Sequence, residues 1–201
     1  CEVEGRVSTP ALEAQIATGG GRLSKGQQGE INLAAPHWVT AAAGLIDRGY
    51  MLLIDYGAAA DALYGPEHPR GTLRCYWRHT MNEDPLSRVG CQDITAHVDF
   101  SAVTRAALGQ GLTLVGATGQ AELLGRLGLP LLADAVESRV TGRSEQRAHR
   151  RALHQLIDLK GLGGLLALAF GKRGLETPLM GFARSTPAQP PSVPEIWQLR
   201  I

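Results

Sequence analysis

The sequence predicts an α/β protein, a mostly parallel sheet with helices packed on both faces. Three observations carry that expectation. Residues 50–54, 112–117 and 163–170 are apolar runs without the alternation of a half-wet strand, so they read as strands buried on both faces. Segments with helical spacing lie before and between them, and the one at 30–48 runs straight into the 50–54 strand. That strand stops abruptly at Asp55, Tyr56 and Gly57, which puts an acid at the carboxyl edge where open α/β sheets bind ligands.

Element by element, residues 1–7 alternate Val3, Gly5 and Val7 with Glu2, Glu4 and Arg6, the period of an edge strand with one wet face. A short helix is expected over 11–17, ended by Gly19, Gly20 and Gly21, and a mobile loop from there to Gly29. The 30–48 helix carries Ile31, Trp38, Ala42, Leu45 and Ile46 on one face, with Pro36 in its first turn or kinking it. From 58 to 91 periodicity vanishes into Pro, Gly, His and Arg, yet Tyr64, Tyr76 and Trp77 argue for an ordered loop folded over the strand end. Asp99 or Ser101 is placed to cap a helix over 101–108, and Thr118 to cap the next. Two more helices are expected at 130–140 and 144–158, the second with Arg143, Arg147, His149, Arg150 and Arg151 on a solvated basic face. Residues 172–174 read as a turn, and 185–201, with four prolines, as an extended tail.

Bulk composition narrows the function classes. With 201 residues, 44% hydrophobic and 19% charged, the chain has globular composition. A formal net charge of +1 supplies no overall field to recruit nucleic acid or an anionic membrane. The longest apolar stretch, 162–170, falls short of the roughly 20 residues a membrane helix needs. Cys1, Cys75 and Cys91 are an odd set without metal or redox spacing, which suits a reducing compartment.

No glycine-rich dinucleotide turn, phosphate loop, zinc-protease helix or serine elbow is present. The densest polar constellation is His79 with Asp93, His97 and Asp99. Asp93 and His97 share a face if helical; Asp93, Thr95, His97 and Asp99 share one if extended. Three readings follow: a facial metal site that would make the chain a hydrolase, a histidine general base steered by an aspartate, or a hydrogen-bonded structural cluster.

Several short motifs, in order and spacing, resemble the MidA family of S-adenosyl-L-methionine-dependent methyltransferases. They are Gly29-Glu30-Ile31-Asn32, Trp38, Leu53-Ile54-Asp55-Tyr56-Gly57, Gly71-Thr72-Leu73-Arg74-Cys75-Tyr76 with His79, the stretch 90–100, and Gln120 with Leu123, Leu124 and Gly128. The resemblance is strong over 30–128 and weaker to Phe182; at 162–170 the chain departs from the family's Met-Gly and Phe-Lys pairs. It implies a class I, Rossmann-like methyltransferase fold, here the carboxyl-terminal half. The 50–54, 112–117 and 163–170 runs would then be the fifth, sixth and antiparallel seventh strands, with 1–184 belonging to the methyltransferase domain and 185–201 a Pro-rich tail.

Under that resemblance the cofactor is S-adenosyl-L-methionine, and its glycine motif is expected upstream of Cys1, so the fold is incomplete at its N-terminus and this chain alone is expected not to bind the cofactor. The acceptor is expected to be a protein arginine, with a respiratory complex I subunit one candidate, in the cytoplasm of a bacterium or the mitochondrion of a eukaryote. Asp55, Asp93 and Asp99 would orient the guanidinium, because carboxylates suit its planar fork, and His97 or His79 would take the proton. Asp55 would face the acceptor beneath the 58–91 loop. The alternative is a non-catalytic assembly factor that keeps the fold and uses the loop and basic helix to hold a partner.

Overall fold

The computed structural model describes residues 4–139, 142–175, 177 and 179–182. In chain order its elements are α1 (Pro10–Thr18), α2 (Ala34–Leu45), β1 (Gly49–Asp55), β2 (Gly57–Ala58), α3 (Ala60–Leu63), β3 (Arg74–Trp77), β4 (Thr80–Asn82), β5 (Asp93–Thr95), β6 (Val98–Asp99), α4 (Phe100–Gly109), β7 (Thr113–Gly119), α5 (Gln120–Arg126), α6 (Leu129–Glu137), α7 (Arg143–Ile157) and β8 (Leu166–Lys172). Short 3-10 turns lie at Leu162–Gly164 and Met180–Phe182. The chain forms two compact units, Cys1–Thr40 with Gly57–Ala106, and Ala41–Tyr56 with Ala107–Ile201.

In the first unit, Thr9 caps α1 by accepting the Ala11 N–H, and the helix ends at Gly19. Ile16, Leu23, Ile31 and Ala58 pack on a buried cluster of Ala60, Leu63 and Tyr64. The stretch expected to be a mobile loop is pinned instead. The Gln27 side-chain amide donates to the carbonyls of Tyr64, Gly65 and His68 at 3.1, 2.8 and 3.3 Å. Residues 4–7 form no strand among the described residues, so alternation alone was misleading there, and residues 1–3 of that expected strand lie outside the described residues. The expected 58–91 loop holds α3, β3 and β4. Strands β4, β3 and β5 make an antiparallel sheet in that order, and β2 runs parallel to β6.

Helix α2 begins at Ala34, later than expected, because Asn32 Oδ1 accepts the N–H groups of Ala34 and Ala35. Pro36 is therefore in the first turn, where a missing N–H costs little. The predicted apolar face is corrected too: Val39 and Ala43 are buried, whereas Trp38 and Leu45 are exposed.

In the second unit the sheet order is β1-β8-β7, with β8 antiparallel to both neighbours. The reversed late strand expected from the family resemblance is thus observed, although it starts at Leu166. The mostly parallel sheet is not. Inserting β8 leaves β1 and β7 running the same way but separated, so the described sheet pairing of this unit is antiparallel throughout. Strand β1 is correspondingly not buried on both faces. Met51 is buried, but Tyr50, Leu52 and Ile54 on the other face are exposed, Leu52 by 52%. In contrast, β8 is buried along Ala167–Gly171 on both faces, as a central strand should be.

Val115, Leu123, Ala167, Ala169 and Phe182 form one core cluster of this unit. Gly116 has to lack a side chain, since a Cβ would come within 2.3 Å of Phe182 Cβ. Gly119, not Thr118, occupies the N-cap of α5; the Thr118 hydroxyl donates to Glu122 Oε2 at 2.7 Å. Gln120 ties α5 to its surroundings through N–H to Leu165 O and side-chain amide to Leu156 O. Helix α7 has no buried residue, and its Arg150 pairs with Glu137 of α6. No helix among the described residues is long and apolar enough to cross a membrane. The Pro-rich tail lies outside the described residues.

Candidate functional site

The first unit gathers polar groups at one recess. Asp99 ends β6 and opens α4, its Oδ1 accepting the Ala102 N–H at 3.0 Å, which is the capping role expected of it. The neighbouring Ser101 hydroxyl accepts the Ala60 N–H at 3.0 Å and so fixes the start of α3. Close pairing of β2 with β6 requires Gly57, because a Cβ there would lie 2.3 Å from Val98 O.

Glu30 precedes α2. Its Oε2 accepts two bonds from Thr72, the backbone N–H at 2.8 Å and the hydroxyl at 3.0 Å. That hydroxyl oxygen in turn accepts the His97 N–H at 3.0 Å, so one buried threonine joins Glu30 to His97 in the link between β5 and β6. Gly71, at φ +70, brings its backbone against the same carboxylate; a Cβ would meet Glu30 Oε1 at 2.2 Å. Tyr64 closes the group, its hydroxyl 3.4 Å from Glu30 O and 3.5 Å from Asp99 Oδ2.

The recess has a volume of about 100 Å³ and is lined by Gln15, Glu30, Asn32, His97 and Asp99 with Ala35, Ala96, Val98 and Ala102. Two carboxylates meet there, and Asp99 is only 9% exposed. Burial raises its pKa, with the Ala102 N–H and Arg105 pulling the other way. Burial, reinforced by Asp99, also pushes the Tyr64 phenol well up, so it stays a hydrogen-bond donor. A desolvated acid beside a second carboxylate favours an incoming cation.

Of the five residues predicted from sequence, His97 and Asp99 line this recess. Asp93 stands on β5 opposite Tyr76, exposed. His79 is exposed in the turn between β3 and β4. Asp55 belongs to the second unit, at the end of β1, where its carboxylate accepts the Tyr56 N–H at 2.7 Å. The His97 ring has His68 as an edge-on neighbour, centroids 6.1 Å apart. Among the described residues no cluster of three or more His, Cys, Asp or Glu could hold a metal, so the hydrolase alternative finds no site there. Sequence reasoning missed Glu30, Tyr64 and Thr72. The signal was available, since Glu30 and Thr72 both stand in the motifs quoted for the family resemblance.

Residues 1–118 match the model of a family described as "Putative S-adenosyl-L-methionine-dependent methyltransferase". The chain belongs to this family. Two solved structures from Burkholderia thailandensis are similar to it. The first, an uncharacterized protein, shares 32% identity at a TM-score of 0.77, over 89% of this chain and 47% of that one. The second, of the same superfamily, is bound to S-adenosyl-homocysteine and shares 32% identity at a TM-score of 0.75, over 89% of this chain and 45% of that one. The chain thus spans less than half the length of each. No curated protein matches.

The family's cofactor is S-adenosyl-L-methionine. The recess does not fit it whole: about 100 Å³ is below the roughly 300 Å³ at which sites for ligands of that size begin. Its acidic lining suits a small cationic group instead.

Proposed function

We propose that this chain contributes the acceptor side of an S-adenosyl-L-methionine-dependent protein methyltransferase whose methylated side chain is arginine. The observation that carries the reading is the Glu30 carboxylate, held by two donors from Thr72 in a recess shared with Asp99. Family membership and the relative bound to S-adenosyl-homocysteine support the methyl-transfer chemistry. When bound, the cofactor supplies an electrophilic methyl group.

The chain's own residues act on the acceptor. Glu30, with one oxygen fixed by Thr72, offers its negative charge to a guanidinium fork, and Asp99 adds the second negative charge. Holding the acceptor in one orientation is itself a large share of catalysis. The His97 imidazole is the base that takes the proton released by the attacking nitrogen. Asp55, Asp93 and His79 are proposed to contact other parts of the acceptor protein, a complex I subunit being the first candidate.

The test is transfer of a tritiated methyl group by the whole protein, followed by amino-acid analysis of the acceptor. Methylarginine from the wild type, reduced at least about tenfold in Glu30→Gln and in His97→Ala, is the expected result. Methyl groups on another side chain would overturn the arginine assignment. Undiminished acceptor binding without methylation under any condition would favour the assembly-factor reading.

A further inference from the structure

We propose that the tip of the β4-β3-β5 sheet is a docking site for an acidic segment of a protein partner, whose carboxylates are gripped by Arg78 and Arg88 beside Trp77. The guanidinium carbons of both arginines lie 4.7 Å from the centroid of the same indole ring. The two cations therefore cannot be further apart than twice that distance. Stacking on an aromatic face fixes a guanidinium while leaving its N–H edge available to an oxyanion.

Neither arginine has an ion pair among the described residues, and two of the acids nearby in sequence, Glu83 and Asp84, are engaged elsewhere. Glu83 faces Arg70 and Arg74 at 3.6 and 3.5 Å. Asp84 accepts the Leu86 N–H at 2.9 Å. Asp93 stands opposite Tyr76 on the sheet. Both arginines are exposed, so the pair is held together in solvent without a resident counter-charge.

The backbone is held in this arrangement against local preference. Arg78 and His79 form the two-residue turn between β3 and β4 with φ 47 and 63, where Asn and Gly are the usual choices. Arg88 has φ 52. Three of the four non-glycine residues with positive φ among those described thus surround Trp77, and strain of this kind collects where a surface is used.

The surroundings favour a polypeptide as occupant over a nucleic acid or a free anion. Ile94, on the face of the sheet that Trp77 shares, and Leu86 and Val89, in the loop that carries Arg88, are exposed apolar side chains. An acidic segment interspersed with apolar residues matches both the charge and the greasy margin. A net charge of +1 supplies no wider basic field for a nucleic-acid backbone. This inference concerns binding and stands whether or not the chain takes part in methyl transfer.

The experiment is fluorescence anisotropy of a labelled peptide of alternating Glu and Leu, titrated with the protein at low and physiological salt. Comparison arms are the same peptide with Gln for Glu, a phosphoserine peptide, inorganic phosphate as competitor and a single-stranded oligonucleotide. Saturable, salt-sensitive binding of the Glu peptide is expected, weakened at least about tenfold in Arg78→Gln/Arg88→Gln and with the Gln peptide. Arg143→Gln/Arg147→Gln on α7 should leave it unchanged, and Arg78→Lys/Arg88→Lys, which keeps charge but not the planar fork, should fall between. Circular dichroism confirms that each variant is folded. Equal binding by the Arg78→Gln/Arg88→Gln variant, equal binding of the Gln peptide, tighter binding of the oligonucleotide or of phosphate, or no binding by the wild type would each overturn the proposal.

Discussion

Thr72 gives both of its hydrogen-bond donors to a single oxygen, Oε2 of Glu30, at 2.8 and 3.0 Å. Two donors on one oxygen fix the carboxylate plane, while Oε1 lies against the backbone of Gly71. The hydroxyl also accepts from His97, so its removal is felt on both sides of the recess.

Thr72→Val keeps the shape and the backbone donor but strips the hydroxyl. The part-buried His97 N–H then loses its acceptor, at a cost of about 0.5–1.5 kcal/mol in unfolding free energy. Urea titration checks this, with Thr72→Ser expected to lose much less. Equal stability of the Val and wild-type proteins would mean that the network is not formed in solution.

Gly71→Ala and Gly90→Ala separate conformational strain from displacement of Glu30. Both glycines have positive φ, but a Cβ at Gly90 meets nothing within 4 Å whereas one at Gly71 strikes Glu30 Oε1. The left-handed backbone penalty is common to both, about 1 kcal/mol. Thermal unfolding should therefore fall further for Gly71→Ala, and acceptor methylation by the whole protein should fall for that variant alone.

Asp99 makes stability depend on pH in a definite direction. Burial raises its pKa in the folded state, so the folded protein holds the proton more tightly than the unfolded chain. The stability this contributes is full below the unfolded value, about 4, and is lost as pH rises through the raised one. Asp99→Asn cannot ionise and keeps an oxygen for the Ala102 N–H. Its urea midpoint should therefore gain on the wild type as pH rises above about 4. A difference that does not change with pH would contradict the assignment.

Gly116→Ala probes the core of the second unit. The new methyl group would collide with Phe182, and overpacking of this kind costs about 1–3 kcal/mol. Because the contact is with Phe182 Cβ and Cγ, which leucine keeps, Phe182→Leu in the same chain should not recover the loss in melting temperature.

How far the sequence could be read depended on whether the signal was local. Asp99 as a helix cap, the glycine stop after α1 and the reversed late strand were legible, the first two from neighbouring residues and the third from family likeness. The exposure of Tyr50, Leu52 and Ile54 was not, because an apolar run does not say what packs on each face of its strand. The 58–91 segment concealed a sheet because β3 and β4 are only four and three residues long, too short for a period to show. Within the candidate site, His97 and Asp99 stood out as titratable side chains close in sequence, whereas Glu30 reaches the recess through a tertiary bond to Thr72.

The placement of β8 between β1 and β7 sets an order of events during synthesis. Gly49 pairs with Lys172, so β1 emerges from the ribosome long before its partner and waits as an unpaired apolar strand. The first unit closes over much shorter stretches, as in the turn that joins Trp77 to Thr80, and can form while β1 is still waiting. A nascent chain paused before residue 166 therefore displays a strand edge that invites pairing with a neighbouring chain. By that argument, slower translation through α7, just upstream of β8, lengthens the time for which that edge is open.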